Sequence, residues 1–161
     1  MEIQMTIKGL MIDPVTNMPI VVLRDLEGSR VLPIWVGVFE ANAIALQIES
    51  IQTPRPMTHD LLVSVIDRLA GNIERVVVCD LKDNTFYATI FLRSPSGDVP
   101  VDARPSDAIA LALRTGSPIF VEEAVFESAQ RSEQSGEADE MSRLRHWLES
   151  LGEEELGKYK M

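Results

Sequence analysis

One cysteine and two histidines are all that this 161-residue chain offers to thiol or soft-metal chemistry. A disulfide framework is excluded, and a zinc site would lack the nitrogen and sulfur ligands to close its tetrahedron. No Gly-x-Ser-x-Gly elbow, phosphate-cradling glycine loop or dinucleotide-binding spacing occurs. Cys79 ends the apolar run Val76-Val77-Val78, so a buried, inert thiol is expected there. No apolar run is long enough to span a bilayer, and no basic, apolar leader follows Met1. The expectation is a cytoplasmic chain, neither exported nor inserted in a membrane. Basic residues are also scarce: the net charge is −10, without the cationic bulk of a non-specific nucleic-acid binder. A phosphate-bearing partner of a chain with this balance calls for divalent cations or a local arginine cluster to offset the repulsion.

What is present reads as one α+β domain followed by a tail. Ile3, Met5 and Ile7 alternate with Gln4, Thr6 and Lys8 as in a half-buried strand that runs on to Ile12. A second strand is expected from Met18 to Leu23, and a third, after the turn Glu27-Gly28-Ser29, over Val31–Trp35. Pro33 places that third strand at an edge or at its own start. A helix rich in small residues follows from Phe39 to Ile48.

The same order then recurs. Ala43-Ile44-Ala45-Leu46 returns as Ala108-Ile109-Ala110-Leu111, and Leu32-Pro33-Ile34 is echoed by Val99-Pro100-Val101. Strands are expected over Glu74–Leu81, Thr85–Leu92 and Val99–Val101, so both halves read as a duplicated β-β-β-α unit. The two units should pack with their helices close together and their sheets adjoining, in mixed or antiparallel pairing. Between them Thr58 is a suitable N-cap for an amphipathic helix whose apolar stripe is Leu61, Leu62, Val65, Ile66 and Leu69, closed by Gly71. A short strand at Ile119–Val121 and a short helix to Ala129 complete the body, residues 1–129. Residues 130–161 read as an acidic linker from Gln130 and an amphipathic helix bearing Met141, Leu144, Trp147, Leu148 and Leu151.

The second small-residue helix carries the chemistry. Pro105 suits its first position, and Ala108–Leu113 is apolar on every side, as in a helix buried all round. Asp102, Arg104 and Asp107 gather at its start, where free amides and the helix dipole favour anions. Arg55, His59 and Asp60 stand at the start of the amphipathic helix, and Glu40 at a third. Hard oxygens on Glu40, Asp60, Asp102 and Asp107 suit Mg2+ or Mn2+. Arg55 and Arg104 could clamp phosphate, and His59 is the natural general acid or base. Each has an inert alternative: Asp107 or Ser106 satisfying orphan amides, Arg104 pairing with Asp102, and His59 merely solvated.

At these residues the chain resembles the bifunctional nuclease family. The matching segments are Leu32-Pro33-Ile34-Trp35 with Glu40-Ala41, and Arg55-Pro56-Met57-Thr58-His59-Asp60-Leu61. Further on come Asp80-Leu81-Lys82 with Thr85-Phe86-Tyr87-Ala88, and Asp102-Ala103-Arg104-Pro105-Ser106-Asp107-Ala108-Ile109-Ala110. The resemblance runs from Met1 to about Ala129. It implies an α+β fold, duplication, a homo-oligomer, and activity on both DNA and RNA. Two readings follow. One is a metal-dependent phosphodiesterase with catalytic His59, Asp60, Asp102 and Asp107, metal ligands Glu40, Asp60, Asp102 and Asp107, and substrate-binding Arg55 and Arg104. The other is a non-catalytic regulatory or interaction module whose C-terminal helix recruits a protein partner.

Overall fold

The computed structural model of the protein describes residues 1–134 and Leu148. Two antiparallel meanders form the frame. Strands β1 (Glu2–Ile12), β2 (Pro19–Asp25) and β3 (Val31–Trp35) lead into helix α1 (Val38–Ile48), which is followed by α2 (Thr58–Arg68). Strands β4 (Asn72–Lys82), β5 (Thr85–Ser94) and β6 (Gly97–Ala103) then lead into α3 (Pro105–Thr115). Strand β7 (Ile119–Glu122) and helix α4 (Glu123–Gln134) follow.

The α+β fold and the repeated β-β-β-α unit are both present, with a difference in how the halves meet. Strand β7 slots between β1 and β4, antiparallel to the first and parallel to the second, so the meanders do not pair directly. The sheet order is β3-β2-β1-β7-β4-β5-β6. Register carries the repeat further: Met5 and Val76 both pair with Ile119, and each first strand bulges three residues on, at Lys8 and Cys79. That bulge explains why Cys79 is half-buried rather than sealed beside its valine neighbours.

Turn chemistry separates the two copies. The β4–β5 hairpin closes on Asp83-Asn84, both at positive φ, as a two-residue type I′ turn requires. The longer β1–β2 loop is tied down by Asp13. Its Oδ1 accepts the Val15 N–H at 2.9 Å, and its Oδ2 accepts the Thr16 hydroxyl at 2.8 Å and the Trp35 indole N–H at 3.0 Å. Pro33 and Pro100 occupy the two edge strands, where a missing amide costs the ladder least.

The alanines of α1 and α3 let the helices approach closely over the sheet. Ala41, Ala108 and Ala110 are buried there with Ile44 and Ile109. The whole of Ala108–Ala112 is buried, as an all-apolar helix demands. Helix α2 rests on α3, and Val63 and Ile66 reach the core, while Leu61, Leu62, Val65 and Leu69 stay at the surface.

Several boundaries differ from those expected. Met57, not Thr58, is the N-cap residue of α2, because the Asp60 carboxylate folds back to accept the Met57 N–H at 2.9 Å. Ala70, not Gly71, takes the left-handed turn after α2, at φ 59°. Gly116 does take it after α3, at φ 67°. Helix α4 continues to Gln134, so the stretch expected to begin a linker at Gln130 is helical at its start. Of the tail stripe, Met141, Leu144, Trp147 and Leu151 lie outside the described residues. Leu148 is fully buried against Met11, Ile20, Val22 and Val31 of the first meander, with Lys8 Nζ donating to its carbonyl at 3.5 Å. Among the described residues no helix is long and apolar enough to cross a membrane.

Burial alone would raise the Asp13 carboxyl, but the bonds from Trp35, Val15 and Thr16 together hold it below its ordinary value. Asp25 is depressed in the same way, its burial outweighed by bonds from Arg30, Ser29 and Gly28. Folded-state values below the unfolded ones mean stability that is complete above about pH 4 and lost as pH falls through the folded values. Urea titrations should show an unchanged midpoint from neutrality to about pH 5 and a steep fall below about pH 4. Asp13→Ala, which also strands the Trp35 indole, should lose about 2–3 kcal/mol at neutral pH and flatten the acid limb.

Candidate active site at three helix starts

Each helix of the candidate site begins with an acidic residue in its first turn: Glu40 in α1, Asp60 in α2 and Asp107 in α3. Carboxylates belong there, facing free amides and the positive end of the helix dipole. The fold brings the three starts together. Arg104, the N-cap residue of α3, donates from Nε to Asp107 Oδ2 at 3.0 Å and from Nη2 to Glu40 Oε1 at 3.0 Å. Asp107 Oδ1 in turn lies 2.9 Å from His59 Nε2. One chain, Glu40–Arg104–Asp107–His59, thus links all three first turns. Gly37 makes room for it, since a Cβ there would collide with the Glu40 carboxylate.

These residues line a cleft of about 710 Å3, well within the range of ligand sites. Its walls are mainly apolar: Leu62 and Ile66 from α2, Ile90 and Leu92 from β5, Val101 from β6 and Leu111 from α3. The cleft exists because α2 leans on α3 instead of lying on the β5–β6 surface.

The His59 side chain is only 11 % exposed. With the ring neutral, a carboxylate at Asp107 accepts a proton-bearing Nε2, and Nδ1 then carries the lone pair, with no hydrogen-bond partner among the described residues. The carboxylate therefore fixes both ring orientation and tautomer. Arg104 is kept firmly protonated, first by its hydrogen bond to Asp107 and then by the charges of Asp107 and Glu40.

Asp60 is diverted from this group. Its carboxyl is held below the ordinary value by the Met57 amide first and by Arg114 second. Arg114, whose side chain is 5 % exposed, donates from Nε to Asp60 Oδ1 at 2.7 Å, from Nη2 to the Ala43 carbonyl at 3.2 Å and from Nη1 to the Ala110 carbonyl at 2.9 Å. A single guanidinium so binds α1, α2 and α3. In sequence Arg114 is no more than a cation near the end of its helix, because its partners Asp60 and Ala43 are distant in the chain.

Of the expected site residues, Glu40, His59, Arg104 and Asp107 come together. Asp102 lines the same cleft from β6, exposed and without a hydrogen bond or ion pair among the described residues, so it does not form the expected turn pair with Arg104. Arg55 is exposed in the loop before α2 and is not among the cleft residues. The acids expected to ligate Mg2+ or Mn2+ do not fit that role as they stand. Arg104 engages Glu40 and Asp107, Arg114 engages Asp60, and among the described residues no three His, Cys, Asp or Glu side chains converge as a cation site.

Residues 21–134 match the model of the bifunctional nuclease domain. The chain belongs to the bifunctional nuclease family. It is 36% identical to an uncharacterised protein of Mycobacterium tuberculosis over 162 residues, covering 95% of this chain and 97% of that one. It is also 29% identical over 107 residues to Bifunctional nuclease 1 of Arabidopsis thaliana and 31% identical over 108 residues to Bifunctional nuclease 2 of Oryza sativa subsp. japonica. Each plant match covers 64% of this chain and about a third, 33%, of the plant protein. The matched family region contains every residue of the Glu40–Arg104–Asp107–His59 chain and also Asp60 and Arg114.

Arg114→Met should be costly, because it leaves Asp60 and two carbonyls without their donor. A loss of about 3 kcal/mol in urea denaturation is expected. Combining it with Asp60→Asn should recover part of that loss, a coupling of about 1–2 kcal/mol in a double-mutant cycle.

Proposed function

We propose that this member of the bifunctional nuclease family is a phosphodiesterase whose reaction takes place in the cleft, beside the three helix starts. The observation that carries the reading is the His59–Asp107 pair set beside an exposed Arg104 where three helix starts meet. The helix amides and Arg104 supply positive potential for a phosphate in an otherwise acidic chain.

In this reading His59 Nδ1 takes a proton from water while Asp107 steadies the imidazolium that results. The water oxygen bonds to phosphorus, the bond from phosphorus to the leaving oxygen breaks, and His59 returns the proton to that oxygen. Arg104 turns from its carboxylate partners to the phosphate and offsets the charge that develops on it. Water as the nucleophile needs no 2′-hydroxyl, so DNA and RNA are equally eligible. Asp60 and Arg114 hold α2 in place and take no part in the proton transfers. No step is routed through a metal ion.

The alternative reading, a regulatory or interaction module, is favoured by one feature: Arg104 already has two carboxylate partners. Self-association, which the family resemblance implies, would have its natural seat in the surface leucines and valine of α2. Leu148, by contrast, is spent within its own chain, so that tail residue is not free to recruit a partner.

Purified protein should cleave both DNA and RNA. His59→Ala and Asp107→Asn should each lower turnover by about 10²–10⁴-fold while keeping the wild-type circular-dichroism spectrum and melting temperature within a few degrees. Activity should survive exhaustive chelation. Cleavage abolished by chelator and restored by Mg2+ would return Glu40, Asp102 and Asp107 to the role of metal ligands. Unchanged cleavage by both variants would leave the non-catalytic module as the better account.

A further inference from the structure

Building on the phosphodiesterase reading, we propose that the cleft accepts one unpaired base of a single-stranded nucleic acid, stacked on Phe39, with the adjoining phosphate at Arg104. Phe39 is the unexplained residue. It stands in the first turn of α1 beside Glu40, lines the cleft, and is 88% exposed. A whole aromatic ring left in water at the lip of a site is a surface awaiting a flat partner, and a base offers one whatever its identity.

The walls agree with that partner. Leu62, Ile90, Leu92 and Val101 present apolar surface and no side-chain hydrogen-bonding groups, which suits the face of a base and not a sugar-phosphate backbone. Charge then decides the form of the strand. Arg104 and Arg114 are the two arginines among the lining residues, there is no lysine, and Arg114 is committed to Asp60 and two carbonyls. One guanidinium and the helix starts can meet one or two phosphates, whereas a protein following a duplex neutralises many. A duplex also hides its base faces in its own stack. An unpaired strand supplies both halves of the match: an apolar face for the cleft and a single phosphate for Arg104.

The test reads binding apart from turnover. A fluorescein-labelled, phosphorothioate-linked strand of about ten nucleotides, which resists hydrolysis, is titrated alone and annealed to its complement, with fluorescence anisotropy as the readout. The single strand should bind at least about tenfold more tightly than the duplex, Phe39→Ala should lose about tenfold, and Phe39→Trp should retain affinity. The slope of log affinity against log salt should lie between about −0.7 and −1.4, the release expected of one or two phosphates on a single strand. Equal binding of duplex, indifference to Phe39→Ala, or a much steeper salt slope would overturn the proposal. So would a fall in molecular mass on Phe39→Ala by light scattering, which would assign the ring to a contact between copies. The two readings fail separately. Binding that depends on Phe39 while His59→Ala cleaves normally removes the catalytic assignment alone, and normal cleavage with binding blind to Phe39 removes the stacking platform alone.

Discussion

The Arg114 guanidinium is the constraint on which the site depends. Helix α2 contributes little surface to the core, and its apolar stripe is mostly turned outward, so burial alone would fix its position weakly. Its first turn is instead pinned by the carboxylate of Asp60, drawn to a nearly inaccessible arginine that also reaches α1 and its own helix. Because a planar fork with fixed donors makes these three bonds, the pin sets orientation as well as distance. His59 is the neighbour of Asp60 in sequence. Fixing one therefore presents the other to Asp107, and a structural ion pair becomes the support of the His59–Asp107 pair.

The electrostatics of the cleft reconcile an acidic chain with the anionic substrate proposed for it. A net charge of −10 describes the long-range field and not the potential within a hydrogen bond of three converging helix starts. In the free protein Glu40 and Asp107 occupy that positive region and hold Arg104 extended. The Arg104 side chain is 67% exposed, so water screens these pairs, and a phosphate of the proposed substrate would compete for Arg104 at little cost.

Much of this was legible in the sequence where local pattern determines the outcome. Alanine and isoleucine with no polar face announced α3 as a buried helix, Pro33 pointed to an edge, and the recurrence of Ala-Ile-Ala-Leu exposed the repeat. The ordered motifs point to three helix starts, and four of the residues they carry meet in one hydrogen-bonded chain. What escaped was set by distance across the fold. Strand β7 is four residues long and gives no sign that it will separate the two meanders. Arg114 looked like any cation at a helix end, since nothing local says that α2 begins beside it. Asp60 looked equivalent to Asp107 by type and position, yet a buried partner draws it out of the site. Arg55 stood among the motif residues but lies outside the cleft. In sequence Phe39 marks only the start of a helix, because only the packed structure leaves it uncovered.

The edge prolines have a consequence for how the molecule behaves at high concentration. A seven-stranded sheet ends in two edge strands, and an exposed edge is a template on which neighbouring molecules could grow strand by strand into fibres. A rim residue without a backbone donor interrupts such growth on either side, and the internal repeat has placed one on both. Duplication thus supplied the molecule with a matched pair of end-stops against polymerisation.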